Sequence, residues 1–165
     1  MDAATIIDTL VTDRTQADVE RVKALAAKGF AAMTAAERAE WLTGMKGAYN
    51  ASDMNRVGTA LNYLAARLAP ICGMSIAWSA KTDWAATDII TASQAEAYRK
   101  QVQSIRDALA YPEGTPDAPE LNRMAYTGAN DIERVLAICE ELIDNITKAF
   151  RHTGAAECAA GGLLT

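Results

Sequence analysis

The sequence predicts a mainly α-helical protein, in which degenerate helical repeats form a bundle and a non-helical extended arm occupies about residues 71–90. Half of the 165 residues are apolar, many of them alanine, and the chain has only ten Gly and four Pro. This composition favours helix over sheet. Apolar residues also recur at steps of three and four in several segments, and a capping residue precedes each of them.

The first 50 residues contain two of these helix starts. Thr15 lies three residues before Asp18, which is the spacing of a capping box at the start of a helix. Thr34 lies three residues before Glu37 in the same arrangement, and an apolar face follows that includes Trp41. We therefore expect one helix after Thr15 and a short second helix after Thr34.

Three longer helices follow, and each has one apolar face. The first is predicted from about residue 52 to 68, ending before Pro70, and the second ends before Pro112. Their predicted capping residues are Asn50, three residues before Asp53, and Thr91, three residues before Gln94, while Gly128 before Asp131 is a weaker version of the same spacing at the third helix. The three faces consist of Met54, Val57, Leu61, Leu64 and Leu68; of Ala95, Tyr98, Val102, Ile105 and Leu109; and of Ile132, Val135, Cys139, Leu142 and Ile146.

Four regions follow from this pattern. We predict an N-terminal helical module at 1–70, the arm or linker at 71–90, a C-terminal helical module at 91–150 and a flexible tail at 151–165. Residues 111–128, which hold three of the prolines, read as a surface loop. The tail is rich in small residues and has no clear periodicity, which is typical of a terminus that is mobile or becomes ordered only against a partner.

The helix starts resemble one another in sequence. Residues 53–57 (DMNRV) match residues 131–135 (DIERV) and 18–22 (DVERV), while 94–98 (QAEAY) is a weaker copy. An acid in the first turn and a base three residues later are explained by capping and by ion pairing, without catalysis. We predict that each arginine pairs with the acid of its own copy or caps carbonyls of a neighbouring one. The pairs are Asp18 and Arg21, Asp53 and Arg56, and Asp131 and Arg134.

Composition and motifs exclude several classes of function. The net charge is −5 and the basic residues are scattered, which argues against direct nucleic-acid binding. No segment resembles a signal peptide or a membrane span, so we expect a soluble protein made in the cytoplasm. We find no catalytic, cofactor-binding or metal-binding motif and predict no enzyme activity. The remaining enzymatic alternative would use His152 with Cys158. A metal site built from the same two residues would need two more ligands from distant parts of the chain.

The arm carries the clearest candidates for a protein interface. Trp78 and Trp84 lie on a segment without helical periodicity, and aromatic residues there could either clamp the arm onto its own bundle or bind a neighbouring subunit. The predicted interface residues are Ile76, Trp78, Trp84, Ile89 and Ile90.

Several segments together resemble a module of tail and baseplate-region structural proteins from bacteriophages and prophages of Gram-positive gut bacteria. They are TDRTQADVERV at 12–22, MTAAERAEWL at 33–42, GMKGAYNASDMNRV at 44–57, KTDW at 81–84 with Asp88 and Ile89, and YTGANDIER at 126–134. The resemblance covers about residues 12–150. Residues 150–154 (FRHTG) keep only part of the aromatic and Gly-rich tail of these proteins.

The resemblance implies a virion structural role and transfers no catalytic residues. We therefore expect a tail- or baseplate-associated protein that forms homo-oligomers and binds other phage structural proteins. It would be made in the bacterial cytoplasm, would be located in the virion, and would bind neither a membrane nor a cofactor. The alternative is a monomeric helical adaptor that binds a peptide or a partner protein.

Overall fold

The computed structural model describes residues 3–73 and 77–161, with side chains for residues 6–73, 77–122 and 124–150. Five α-helices account for most of this part of the chain, and it contains no β-strand, so the predicted mainly α-helical bundle is confirmed. The helices are α1 (Gln16–Lys28), α2 (Ala35–Thr43), α3 (Ala51–Cys72), α4 (Ala92–Asp107) and α5 (Tyr126–Gly161). Short 3-10 helices occupy Ala3–Thr9, Phe30–Ala32 and Leu121–Arg123.

Four helices begin at the predicted capping residue. Complete capping boxes form at Thr15, Thr34, Asn50 and Thr91. The predicted cap at Gly128 is wrong, because α5 already begins at Tyr126. Gly128 lies inside the first turn, where an added Cβ would come within 3.2 Å of Pro119. Close packing against the preceding loop, rather than capping, therefore explains why a residue without a side chain occupies position 128.

The main core lies between α3, α4 and α5, across the predicted boundary at 71–90. All three helices run in the same direction. Arg56 and Arg67 of α3 pair with Glu133 and Asp144 of α5, in that order along both helices. The apolar face of α3 is buried as predicted. On α5 the buried face includes Leu136 and Ile143, while the predicted Leu142 and Ile146 are only half-buried.

Because the three helices are parallel, the chain must return along the bundle between them. Residues 77–90 run back along α3 without helix or strand, and residues 108–125 run back along α4 with one 3-10 turn. The predicted end of α3 before Pro70 is wrong, since the helix includes Pro70 and ends at Cys72. A proline in the last turn removes few helical hydrogen bonds, and Gly73 then ends the helix in the left-handed conformation.

The α1 and α2 helices form a separate unit with its own small core. Leu25, Met33 and Met45 are buried there, and Trp41 packs against them as predicted. At its surface, Lys28 and Thr34 lower the pKa of Glu37 to about 2. Arg21 binds Glu40 across the unit at 2.8 Å.

The backbone of α5 is helical as far as Gly161, whereas the sequence predicts a flexible tail from residue 151. Residues 162–165 of that predicted tail lie outside the described residues, and His152 and Cys158 lie outside the part with described side chains. Among the described helices, none combines the length and the apolar composition needed to cross a membrane.

Candidate interaction surface

Two asparagines on α3 hold the return segment at residues 77–90 against the bundle. Asn55 accepts a hydrogen bond from the backbone N–H of Trp84 at 2.7 Å and donates to the carbonyl of the same residue at 2.9 Å. Asn62 does the same for Ala80, at 2.7 and 3.0 Å. The two amides lie two turns apart on one face of α3, so they fix the path of the segment at two points.

Gly58 lies between these asparagines and permits the close approach. A Cβ at this position would lie 2.3 Å from the carbonyl oxygen of Lys81. Gly58→Ala should therefore lower the free energy of unfolding by about 1–3 kcal/mol, the usual cost of overpacking, despite the higher helix propensity of alanine. Urea denaturation followed by circular dichroism measures this change. The exposed Thr59→Ala variant is the control, and a stabilised Gly58→Ala protein would contradict the contact.

The predicted interface residues that the structure describes fall into three groups. Trp84 is only 8% exposed and belongs to the chain's own core. Of the two predicted alternatives for this residue, packing of the arm onto its own bundle is therefore the one observed. Trp78 and Ile90 are half-buried against the same core. Ile89 is 89% exposed. Ile76 lies outside the described residues.

An open groove of about 580 Å³ adjoins the end of this segment. Its walls are the end of α2, the start of α3 and residues 84–90. Leu42, Met54 and Ile90 give it an apolar lining, and Asn50 and Asp88 add polar groups. Leu42 is 73% exposed at its rim. Apolar grooves of this size with a few polar groups are typical binding sites, which makes it the candidate interaction surface.

The helix start at Asp53 and Arg56 belongs to a buried ionic cluster at the start of α3. One carboxylate oxygen of Asp53 caps α3 by accepting from the N–H of Asn50 at 2.9 Å. The other oxygen binds Arg56, as the sequence spacing predicts, and also binds Arg14. Glu133 of α5 binds both guanidinium groups, at 2.6 Å from Arg14 and 2.8 Å from Arg56. Two bases and two acids thus neutralise one another.

The cluster is arranged for stability rather than for proton transfer. Glu133 is fully buried, and it also accepts the backbone N–H of Val11 at 2.6 Å. Burial alone would lower the pKa of Arg56, but hydrogen bonds and charges from Glu133 and Asp53 raise it above its ordinary value. Each carboxylate in the cluster therefore already has cationic partners. A group held in this way is poorly suited to act as a general base.

A tyrosine pair lies beside the cluster. The hydroxyls of Tyr49 and Tyr98 hydrogen-bond to each other, and the ring of Tyr49 stacks beneath Arg14, whose Cζ lies 5.6 Å from the ring centre. Burial raises the pKa of both hydroxyls above the ordinary value for tyrosine. Both therefore stay protonated and neutral near pH 7. In the described part of the chain, no three His, Cys, Asp or Glu side chains are grouped as metal ligands would be.

The other two helix starts do not form clusters. Asp18 caps α1 through Thr15, but Arg21 pairs with Glu40 rather than with Asp18. Arg134 is exposed, and neither it nor Asp131 has an ion pair within the described residues. The predicted pairing with the acid of the same copy is thus wrong for Arg21 and Arg134. The predicted alternative, a hydrogen bond to backbone carbonyls of a neighbouring copy, is not found for either arginine among the described residues.

The sequence did not predict a site role for Arg14, Glu133, Asn55 and Asn62. Asn55 and Asn62 carried a usable signal, because they flank Gly58 on one face of an otherwise well-formed helix. Arg14 and Glu133 carried none, since they are 119 residues apart.

Comparison with known proteins assigns this chain to no family. No protein-family model matches the sequence, and no curated protein or solved structure matches the chain significantly.

Proposed function

We propose that this protein is a structural component of a bacteriophage or prophage tail or baseplate region, which acts by binding copies of itself and neighbouring tail proteins. The resemblance of residues 12–150 to such proteins supports the class. The observation that carries the binding role is the apolar groove with Leu42 at its rim and Ile89 exposed beside Ile90. In this proposal the protein is made in the bacterial cytoplasm and assembled into the virion.

The occupant that we propose for the groove is a second copy of the chain. Ile89 is a single, almost fully exposed apolar side chain on the same segment that forms one wall of the groove. A twofold arrangement could therefore place the Ile89 of each copy against the groove of the other. Such isologous pairing is the commonest symmetry of homo-oligomers.

Ile89→Asp tests this pairing directly. Because the side chain is exposed, the substitution should leave the fold unchanged, whereas a carboxylate buried in an apolar contact should weaken association at least about tenfold. Size-exclusion chromatography with light scattering across a concentration series measures the mass. We expect the same loss for Leu42→Asp.

Phe150→Asp is the matched control, because Phe150 is 70% exposed and lies on α5, outside the groove. It should leave the mass unchanged. An oligomer that withstands both groove substitutions would exclude this surface as the interface.

The second candidate function is a monomeric adaptor that binds a peptide from a partner protein. The volume of the groove favours it, because about 580 Å³ lies within the usual range for ligand sites of roughly 300–1,000 Å³. A wild-type protein that remains monomeric throughout the concentration series would support the adaptor and exclude self-association.

A further inference from the structure

A second open cavity, of about 270 Å³, adjoins the apolar groove at the start of α3. Four residues line both of them: Thr43, Gly44, Asn50 and Ser52. The cavity is lined by one carboxylate, that of Asp53, and by three cationic side chains, those of Arg14, Lys46 and Arg56. Of the described residues that line the groove, only Asp88 is charged. The groove and the cavity therefore form one continuous surface, with basic groups at one end and an acid at the other.

Lys46 is the cation of this cavity that can bind another molecule. The guanidinium groups of Arg14 and Arg56 are held in the buried cluster by Asp53 and Glu133. Lys46 is exposed, and its Nζ pairs with the exposed Asp13 at 2.7 Å. An ion pair between two exposed side chains contributes little to stability, so Lys46 can exchange this partner for another at small cost.

The other end of the surface presents a carboxylate beside Ile89. Asp88 is exposed, and one of its oxygens accepts the backbone N–H of Ala85 at 3.1 Å and lies 3.8 Å from Nζ of Lys81. Lys81 binds Asp83 more closely, at 2.6 Å. The second oxygen of Asp88 makes no hydrogen bond within the described part of the chain. Adjacent residues of this segment thus offer a carboxylate and an exposed apolar side chain.

The charged groups follow the order that a twofold axis requires. Lys46 lines only the cavity, Asp88 lines only the groove, and the apolar lining lies between them. A twofold rotation reverses this order, so it brings the basic end of each copy to the acidic end of the other while the apolar parts meet. Within one chain the same two residues bind Asp13 and Lys81 instead. Their opposite charges are therefore complementary between two copies.

We infer that Lys46 of one copy binds Asp88 of a second copy, and that this reciprocal ion pair fixes the orientation of the two copies around Ile89. The inference rests on the proposed function, because it names the charged contacts of the same self-associating surface. Each dimer contains two such pairs at the edge of an apolar contact. Charges in this position determine orientation and specificity more than affinity.

Two single charge reversals test the pairing, first alone and then mixed. In Lys46→Glu two acids would face each other at both ends of the twofold contact, and in Asp88→Lys two bases would do so. Each variant alone should therefore associate at least about tenfold more weakly than the wild type. A mixture of the two variants places an acid opposite a base at both ends, so it should recover the wild-type association to within about threefold. Size-exclusion chromatography with light scattering across a concentration series measures the mass.

The mixture separates a contact between copies from a contact within one chain. If the two residues acted only within their own chain, a variant with both substitutions would recover and the mixture would not. Circular dichroism should show an unchanged fold for both single variants, because both side chains are exposed. Lys148→Glu, at an exposed lysine of α5 outside this surface, is the matched control. Its mixture with Asp88→Lys should not recover the wild-type mass.

Asp13→Asn tests the same pairing with the opposite sign. The substitution removes the carboxylate that Lys46 binds within its own chain and leaves Lys46 unchanged. Association should therefore strengthen by about twofold to fivefold, and added salt should reduce the difference from the wild type. An unchanged association constant would contradict the inference.

The inference and the proposed function can fail separately. If Ile89→Asp dissociates the oligomer but the mixture associates no better than Lys46→Glu or Asp88→Lys alone, the ion pair is excluded and the apolar groove remains the interface. The same conclusion follows if neither single reversal changes the mass. If the wild-type chain is monomeric throughout the concentration series, the proposed self-association itself is excluded.

Discussion

Glu133→Ala should lower the free energy of unfolding by about 3–5 kcal/mol, the range for removal of one partner from a buried ion pair. The Glu133 side chain is inaccessible to solvent, and its two oxygens bind both Arg14 and Arg56 as well as the N–H of Val11. Without it, two guanidinium groups would share the single carboxylate of Asp53, leaving an uncompensated positive charge in the core. The loss is a large fraction of the roughly 5–15 kcal/mol that stabilises a typical domain.

Urea unfolding monitored by circular dichroism gives this difference. Glu141→Ala is the matched control, because Glu141 is an exposed residue of the same type on the same helix, and its substitution should change stability by less than about 0.5 kcal/mol. Glu133→Gln keeps the shape of the side chain and removes its charge. Glu133→Gln should show most of the loss in unfolding free energy if the charge of Glu133, rather than its packing, accounts for the effect of Glu133→Ala. A cost below about 1 kcal/mol for Glu133→Ala would mean that the cluster relaxes or admits water.

The sequence predicted the helix starts well because capping is local. The bonds at Asn50 and Thr91 join residues three apart, so the information lies within one helical turn. The apolar face of α3 was predicted for a similar reason, since five residues at regular spacing define one side of a helix. On α5 the buried face lies toward Leu136 and Ile143 rather than toward the predicted Leu142 and Ile146. This shift depends on which helices pack against α5, and the periodicity of α5 alone does not contain that information.

The sequence could not show which of the repeated acid and base residues lie in a buried ionic cluster. Asp53 and Asp131 have the same sequence surroundings, yet only Asp53 lies in the buried cluster. The difference arises because Arg14 reaches Asp53 from the N-terminal segment, which is a contact between residues 39 apart. Repetition thus correctly predicted the cap at Asp53 and gave no indication of the ionic cluster built on it.

Trp84→Ala should cost about 3–5 kcal/mol, the usual effect of removing a large aromatic side chain from a core. The ring belongs to the main core and lies 4.9 Å from the ammonium group of Lys81. The bonds from Asn55 involve only the backbone of residue 84, so they can remain in the variant and the loss measures the packing of the ring. Chemical denaturation at a protein concentration where the wild type is monomeric gives the value.

Two comparisons separate packing from assembly. Trp84→Phe keeps an aromatic ring and removes the buried indole N–H, which has no hydrogen-bond partner among the described residues, so it should cost less than about 1.5 kcal/mol. Phe150→Ala, at an exposed aromatic side chain, should be close to neutral. If Trp84→Ala instead leaves the monomer stable and reduces only the mass of the oligomer, then Trp84 contacts a neighbouring subunit and its burial in the chain's own core is wrong. Because a destabilised chain also loses its oligomer, the substitutions that test assembly independently of folding are those at exposed side chains such as Ile89 and Leu42.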